Sequence, residues 1–200
     1  MSGKTPIYMQ NREVSWLNFD ERVLDEAASD KVPLLERLKF VSIFDTNLDE
    51  FFMIRMGSLH DMCSVKNPKI DTKTGMTPQQ QIEAILSMLP RLYQKYDRIY
   101  QRVIDELRIH GIYLLTCSEL TKSQRTEVKD FYKQHIEPLV SPQIVDFCHP
   151  FPFLENKQIY VYAELEKKGN KYFGFIPIRS SFPRYKLLSG PDFNLSLIHI

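Results

Sequence analysis

At 200 residues the chain has room for one large domain or two small ones. Its 26 Lys and Arg against 25 Asp and Glu leave a net charge of +1, which removes the global electrostatic footprint of a dedicated nucleic-acid binder. Hydrophobic residues at 43% exclude a disordered chain, no apolar run reaches the roughly 18 to 20 residues of a membrane span, and the opening MSGKTPIYMQNREVSW lacks the apolar core of a secretory signal, so a cytoplasmic chain is expected.

The first predicted helix starts near residues 15–18. Asn18 with Glu21 three residues on forms a candidate capping box, Ser15 being the alternative cap, ahead of Phe19, Val23, Leu24 and Ala27 at helical spacing. Pro33 suits the first turn of a second helix, whose stripe is Leu34, Leu35, Leu38, Val41 and Phe44. Asp45, Thr46 and Asn47 all favour caps and turns. They predict a break and a third helix from Leu48, with Leu48, Phe52, Met56 or Arg55, Leu59 and Cys63 on its apolar face. Ser64 to Met76 is polar, contains Pro68 and Gly75 and has no period, which predicts a loop.

Thr77, Pro78 and Gln80 then supply a cap, a first-turn proline and a capping-box partner. Ile82, Ile85, Leu89, Leu92, Tyr96, Ile99, Val103 and Leu107 follow at spacings of three and four, a helix of about 33 residues and roughly 50 Å. Pro90 should kink or divide it, and Gly111 ends it. Trp16, Leu38, Phe44, Phe52, Leu89 and Leu92 are expected to be largely buried in a bundle over 15–110.

Beyond Gly111 the pattern becomes mixed. Ile112 to Leu115 is β-prone, and Thr121 with Gln124 can cap a helix carrying Val128, Phe131, His135 and Ile136 until Pro138 stops it. Ile159, Val161, Ala163 and Leu165 alternate with Tyr160, Tyr162, Glu164 and Glu166. Lys167-Lys168-Gly169-Asn170 then turns the chain into Tyr172, Phe173, Phe175 and Ile176, which predicts a β-hairpin. A lone hairpin is marginal, so this module calls for more strands than 111–200 supply. The expected fold class is α+β: a helical bundle over 1–110 followed by an incomplete α/β module with a β-hairpin over 111–200.

Common catalytic signatures are missing: there is no GxxxxGK[ST], GxGxxG, HExxH or GxSxG. The five histidines, His60, His110, His135, His149 and His199, are dispersed, and no metal is assigned to them. Cys63, Cys117 and Cys148 show no CxxC spacing and read as reduced packing residues. The densest polar group is Asp45, Asn47, Asp49 and Glu50. The plainer reading makes Asp45 and Asn47 helix caps, with Asp49 and Glu50 near the positive helix end. The sharper reading is a nucleotide site, in which free N–H groups and the Asn47 amide meet phosphate oxygens. The nearby carboxylates would then require Mg²⁺ or be structural.

Three segments also carry a family resemblance. NREVSWLNFDERVLDEA at 11–27, VPLLERLKFVSIFDTNLDEFFMIRMGSL at 32–59 and HPFPFLENKQIYVYAEL at 149–165 resemble, in order, the amino-terminal part of bacterial polyphosphate kinase type 1. The likeness runs from about Tyr8 to near Ile178. It implies an enzyme that reversibly transfers the terminal phosphoryl group of ATP to polyphosphate through a phosphohistidine. By that likeness, 1–110 is the family's amino-terminal helical domain and 111–200 the truncated start of its head, or middle, domain. The phosphorylated histidine, the arginines and the Mg²⁺ ligands belong to the family's carboxy-terminal, phospholipase-D-like domains, so no catalytic or metal residue is assigned here.

What the likeness does assign is Asn47, in FDTNLDEFF, as an ATP contact. Arg55 receives no role from it, and a salt bridge to Glu50 or Asp49 is its plain account. From about Pro191 the run PDFNLSLIHI departs from the family pattern, so 191–200 reads as the edge of a truncation or a foreign extension. The expected partners are ATP or ADP, polyphosphate and further copies of the chain, as a homodimer or homotetramer associated peripherally with the inner membrane; the Lys66 to Lys73 cluster is too weak to imply nucleic acid. The fragment alone is expected to be inactive, supplying an ATP contact and an oligomerisation surface. The alternative is a non-catalytic helical interaction module, whose support is the stripe of the long helix, free to face another chain.

Overall fold

The computed structural model describes residues 9–145, 151–156, 158–178 and 182–188, and the backbone of 195–199. The expectations for Cys148, His149 and Pro191 lie outside these residues, as does the side chain of His199. The chain forms two compact units, Met1–His110 and Gly111–Ile200.

In the first unit, α1 spans Arg12–Ala28 and starts a turn before the predicted site. Asn11 is the cap: its Oδ1 accepts from the N–H groups of Glu13 and Val14 at 2.9 and 3.3 Å. Ser15 and Asn18 therefore lie inside the helix. The buried face is Glu13, Leu17, Asp20, Leu24 and Ala27, whereas Phe19 is 48% exposed. Two carboxylates interrupt the apolar face, so a search for apolar residues alone selects a neighbouring register.

Helix α2, Leu34–Phe51, begins directly after Pro33, which occupies the cap position rather than the first turn. It does not break at Asp45-Thr46-Asn47. Arg37, Val41, Phe44, Leu48 and Phe51 form one continuous buried face, and that burial overrides the local preference of three polar residues for a cap. A π-helical turn, Phe52–Met56, follows, and α3 continues from it over Gly57–Cys63. The predicted face of this segment is largely correct, with Leu48 and Leu59 buried and Phe52, Met56 and Cys63 half-buried.

Helix α4 spans Pro78–Ile109 without division at Pro90. Pro90 is exposed, as is Leu86 one turn back, so the carbonyl that loses its donor can meet water. Both halves of the capping box are present: Gln80 N–H donates to Thr77 Oγ1 at 3.2 Å, and Thr77 N–H to Gln80 Oε1 at 2.9 Å. His110 closes the helix and Gly111, at φ +78°, turns the chain away in the left-handed region. Ile82, Ile85, Leu92 and Ile99 of α4 join one core with residues of α1, α2 and α3. The long stripe is therefore covered within the unit, which removes the support for a helical module facing another chain. Of six residues expected to be largely buried, Phe44 and Leu92 are fully so, while Trp16, Leu38, Phe52 and Leu89 are half-buried.

The second unit carries two three-stranded sheets. Strand β1, Ile112–Leu115, pairs in parallel with β6, Leu195–His199, which runs antiparallel to β5, Tyr185–Leu188. Helix α5, Lys122–Phe131, opens on the predicted Thr121–Gln124 capping box and ends through a π turn and a short 3₁₀ turn containing Pro138. The predicted hairpin is β3, Ile159–Lys167, against β4, Asn170–Ile178, with β2, Gln143–Val145, on the other edge of β4. Lys168 and Gly169 sit at φ 53° and 78°, the geometry that a two-residue hairpin loop needs. Cys117 is exposed, so of the two described cysteines only Cys63 takes a packing role. No helix among the described residues is long and apolar enough to cross a membrane.

Candidate functional site

The geometry around Asn47 is set by the antiparallel α1–α2 seam, whose contacts follow one another in register. Arg37 Nε donates to Ala27 O at 2.8 Å, Asn47 Nδ2 donates to Asp20 Oδ1 at 2.9 Å, and Trp16 stacks on Phe51 with ring centres 4.6 Å apart. At the far end Arg55 Nη1 reaches Glu13 Oε2 at 3.1 Å, and its guanidinium lies 5.8 Å from the centre of the Trp16 ring. As α1 is followed from residue 27 back to 13, α2 and its π turn are followed from 37 forward to 55. Asn47 is thus held between the buried Arg37 hydrogen bond to Ala27 O on one side and a stacked aromatic pair on the other.

Two expectations about Asn47 need correction. It lies in the interior of α2, so it is not a helix cap, and no row of free backbone N–H groups opens beside it. Any contact with a ligand has to come from its side chain. Arg55 is corrected as well: the ion pair that the seam gives it is with Glu13 on α1, which ties the π turn to the first helix.

Asp20, the partner of Asn47, is 0% exposed. Its Oδ2 has no hydrogen-bond partner among the described residues. Burial pushes its carboxyl from the ordinary 3.8 up to about 6, and the hydrogen bond from Asn47 only partly opposes this. The other buried carboxylate, Glu13, is held by both Arg12 at 2.8 Å and Arg55 at 3.1 Å. Sequence reasoning missed both. The available signal was the spacing Leu17, Asp20, Leu24, Ala27, which puts a carboxylate inside an apolar stripe.

Asp45, Asp49 and Glu50 are exposed on α2. Among the described residues no three His, Cys, Asp or Glu side chains gather to hold a metal ion. A separate open groove of about 400 Å³ lies over the start of α1, with Asn11, Glu13 and Gln81 in its floor and Arg12, Lys69 and Lys73 on its rim. Asn11 Nδ2 donates to Gln81 Oε1 at 2.9 Å there, so the floor is satisfied internally.

Residues 9–115 match the family model described as the polyphosphate kinase N-terminal domain, and 123–197 match that of the polyphosphate kinase middle domain. The chain belongs to the polyphosphate kinase family. The second match runs past Pro191, where the sequence had been expected to leave the family pattern. The chain is 37% identical over 194 residues to a polyphosphate kinase of an Exiguobacterium species, covering 96% of this chain and 27% of that protein. It is 39% identical over 191 residues to the polyphosphate kinase of Halalkalibacterium halodurans, with 94% and 27% covered. The crystal structure of polyphosphate kinase from Porphyromonas gingivalis superposes with a TM-score of 0.72 at 25% identity, covering 94% of this chain and 28% of that one. The chain therefore spans about a quarter of the length of these relatives.

Proposed function

We propose that this chain serves an enzyme that reversibly transfers the terminal phosphoryl group of ATP to polyphosphate, with 1–110 as its amino-terminal helical domain and 111–200 as the start of its head domain. In this reading Asn47 contacts ATP, and the phosphohistidine and Mg²⁺ ligands come from regions outside these 200 residues. The observation that carries it is the pair of family matches in consecutive order, with Asn47 lying inside the first.

Phosphoryl transfer is accelerated by positioned charges and by holding the nucleotide in line with its acceptor. What these residues bring to that task is position rather than charge. The Asn47 amide is neutral, sits on a rigid helix and is fixed by a hydrogen bond at 2.9 Å, so its side chain meets the nucleotide with little freedom left to lose. In this reading the metal ligands and the nucleophile come from outside these 200 residues, and the chain alone transfers no phosphate. Self-association as a homodimer or homotetramer would draw on apolar side chains left in solvent by the β3–β4 hairpin, Val161, Tyr162, Leu165 and Phe173 among them.

The test is Asn47→Ala in the full-length kinase bearing this sequence. Losing a hydrogen bond to a charged ligand, worth about 1.5 to 3 kcal/mol, lowers kcat/KM for ATP by roughly ten- to a hundred-fold while the helical circular dichroism is kept. Unchanged ATP kinetics in a folded variant would overturn the contact.

A further inference from the structure

We infer that Asp20 is the positioning residue for the ATP contact: its buried carboxylate takes one amide hydrogen of the Asn47 carboxamide into the α1–α2 seam and leaves the second amide hydrogen and the oxygen for the nucleotide. This rests on the reading of Asn47 given above and deepens it.

Asp20 has no evident purpose in stability. It sits at 0% exposure in a face otherwise made by Leu17, Leu24 and Ala27, where an apolar side chain would pack without the cost of burying a carboxylate. Its neighbours show how this unit treats carboxylates that stabilise. Glu13 is held by two arginines, and Glu21 takes Arg91 at 2.6 and 2.7 Å together with Lys95 at 2.9 Å. No Lys or Arg pairs with Asp20 among the described residues; its hydrogen bond is with a neutral amide, and its second oxygen has no partner. A group so placed costs stability, and what it does instead is orient Asn47.

The chemistry of that orientation is one-sided. An ionised carboxylate only accepts, so the end of the amide that faces it is the NH₂ group. Oδ1 and the second amide hydrogen then remain for a ligand. A partner able both to donate and to accept, such as an asparagine, would leave the amide free to turn over. An apolar partner would hold neither end. Asp20 is thus the residue type that selects one face of the amide, and the seam contacts on either side keep the two helices in register for it.

The test is a mutant cycle in the full-length kinase, with KM for ATP, kcat and melting temperature measured for Asp20→Leu, Asn47→Ala and the double variant. Asp20→Leu is expected to raise KM for ATP about tenfold with kcat within about twofold, the signature of lost nucleotide binding, and its melting temperature should not fall. In the Asn47→Ala background the same change should add less than about twofold, because the residue it positions is gone. Asp20→Asn, which keeps a hydrogen-bond partner but not the selection of one end, should fall between parent and Asp20→Leu, and it carries the same cycle if the leucine variant does not fold. An Asp20 effect that multiplies with that of Asn47→Ala overturns the positioning role. So does an unchanged KM for ATP in both Asp20 variants while Asn47→Ala raises it, an outcome that leaves Asn47 as the contact. An Asn47→Ala variant with normal KM for ATP overturns both.

Discussion

The two units of this chain solve the problem of burial differently. The helical unit closes its own core: residues of α1, α2, α3 and α4 meet in one cluster, and the buried polar groups Asn11, Glu13 and Arg37 have partners there, whereas Asp20 Oδ2 has none among the described residues. In the second unit the buried apolar residues are few, Leu120, Ile136, Phe175, Phe182 and Leu188 among those described, while the hairpin leaves Tyr162 and Phe173 stacked on each other in solvent. The difference teaches where precision resides. A side chain that must meet a ligand within a fraction of an ångström belongs on the unit whose seams are pinned, and Asn47, the proposed ATP contact, is there.

The strongest way to break this contrast is by truncating one aromatic in each unit. Phe44 is buried and stacks on Tyr96 with centres 5.6 Å apart, so Phe44→Ala should cost about 3 to 5 kcal/mol through lost contacts and the cavity left behind. Phe173→Ala, half-exposed on β4, should cost no more than about 1 kcal/mol. Trp16 is the single tryptophan, and it packs on Phe51, so its fluorescence during urea unfolding reads the helical unit, while amide exchange in β3 and β4 reads the second. Equal losses at both positions would mean that the second unit is as firmly packed as the first.

How much of this was legible in the sequence depended on range. Helix α4 and both threonine capping boxes were readable because cap, partner and periodic stripe lie within a few residues of each other. The hairpin was readable because Gly169 and the alternation around it are local too. The continuity of α2 was not: Asp45-Thr46-Asn47 has the local chemistry of a break, and only packing against α1 and α4 keeps it helical. The pairing of β1 with β6 joins Ile112 to Leu195, and nothing near either residue announces it. For the candidate site, Asn47 came from family likeness, whereas Asp20 was hidden because tracing a helix face by its apolar residues alone passes over a carboxylate within the stripe.

Acidity sharpens the contrast on the helical side. The folded-state pKa of Asp20, about 6, lies above its ordinary 3.8, so between those values the folded chain binds more protons than the unfolded one. Stability from this group is present at the acid end and is lost as pH rises through about 6. Glu21, held low by Arg91, and Glu106, held low by Arg37, act in the opposite sense, and their contribution is lost as pH falls below the ordinary carboxylate range. Asp20→Asn should therefore raise stability by roughly 1 to 3 kcal/mol at pH 7.5, with the gain vanishing near pH 4. Parallel stability curves for parent and variant from pH 4 to 7.5 would show that Asp20 keeps an ordinary pKa in the folded chain.

The smallest effect is expected in the hairpin turn. Lys168 at φ 53° and Gly169 at φ 78° form the two-residue loop, and the lysine holds a left-handed conformation that asparagine tolerates better. Lys168→Asn should stabilise β3–β4 by about 0.5 kcal/mol, since it favours the turn without altering a packed contact. Gly169→Ala should cost about 1 kcal/mol, because a Cβ there is strained at positive φ although no neighbour lies in its way. Amide exchange of Ile159–Lys167 and Asn170–Ile178 should slow in the first variant and quicken in the second, while the amides of α1 and α2 stay as they were. The hairpin is expected to exchange faster than the helical unit in the parent, because a sheet with exposed aromatic side chains opens at lower cost than a closed core. If the turn variants left exchange in β3 and β4 unchanged, the opening of that sheet would be governed by contacts other than its loop, and the looseness of the second unit would have to be sought at β2 or at the sheet's exposed face.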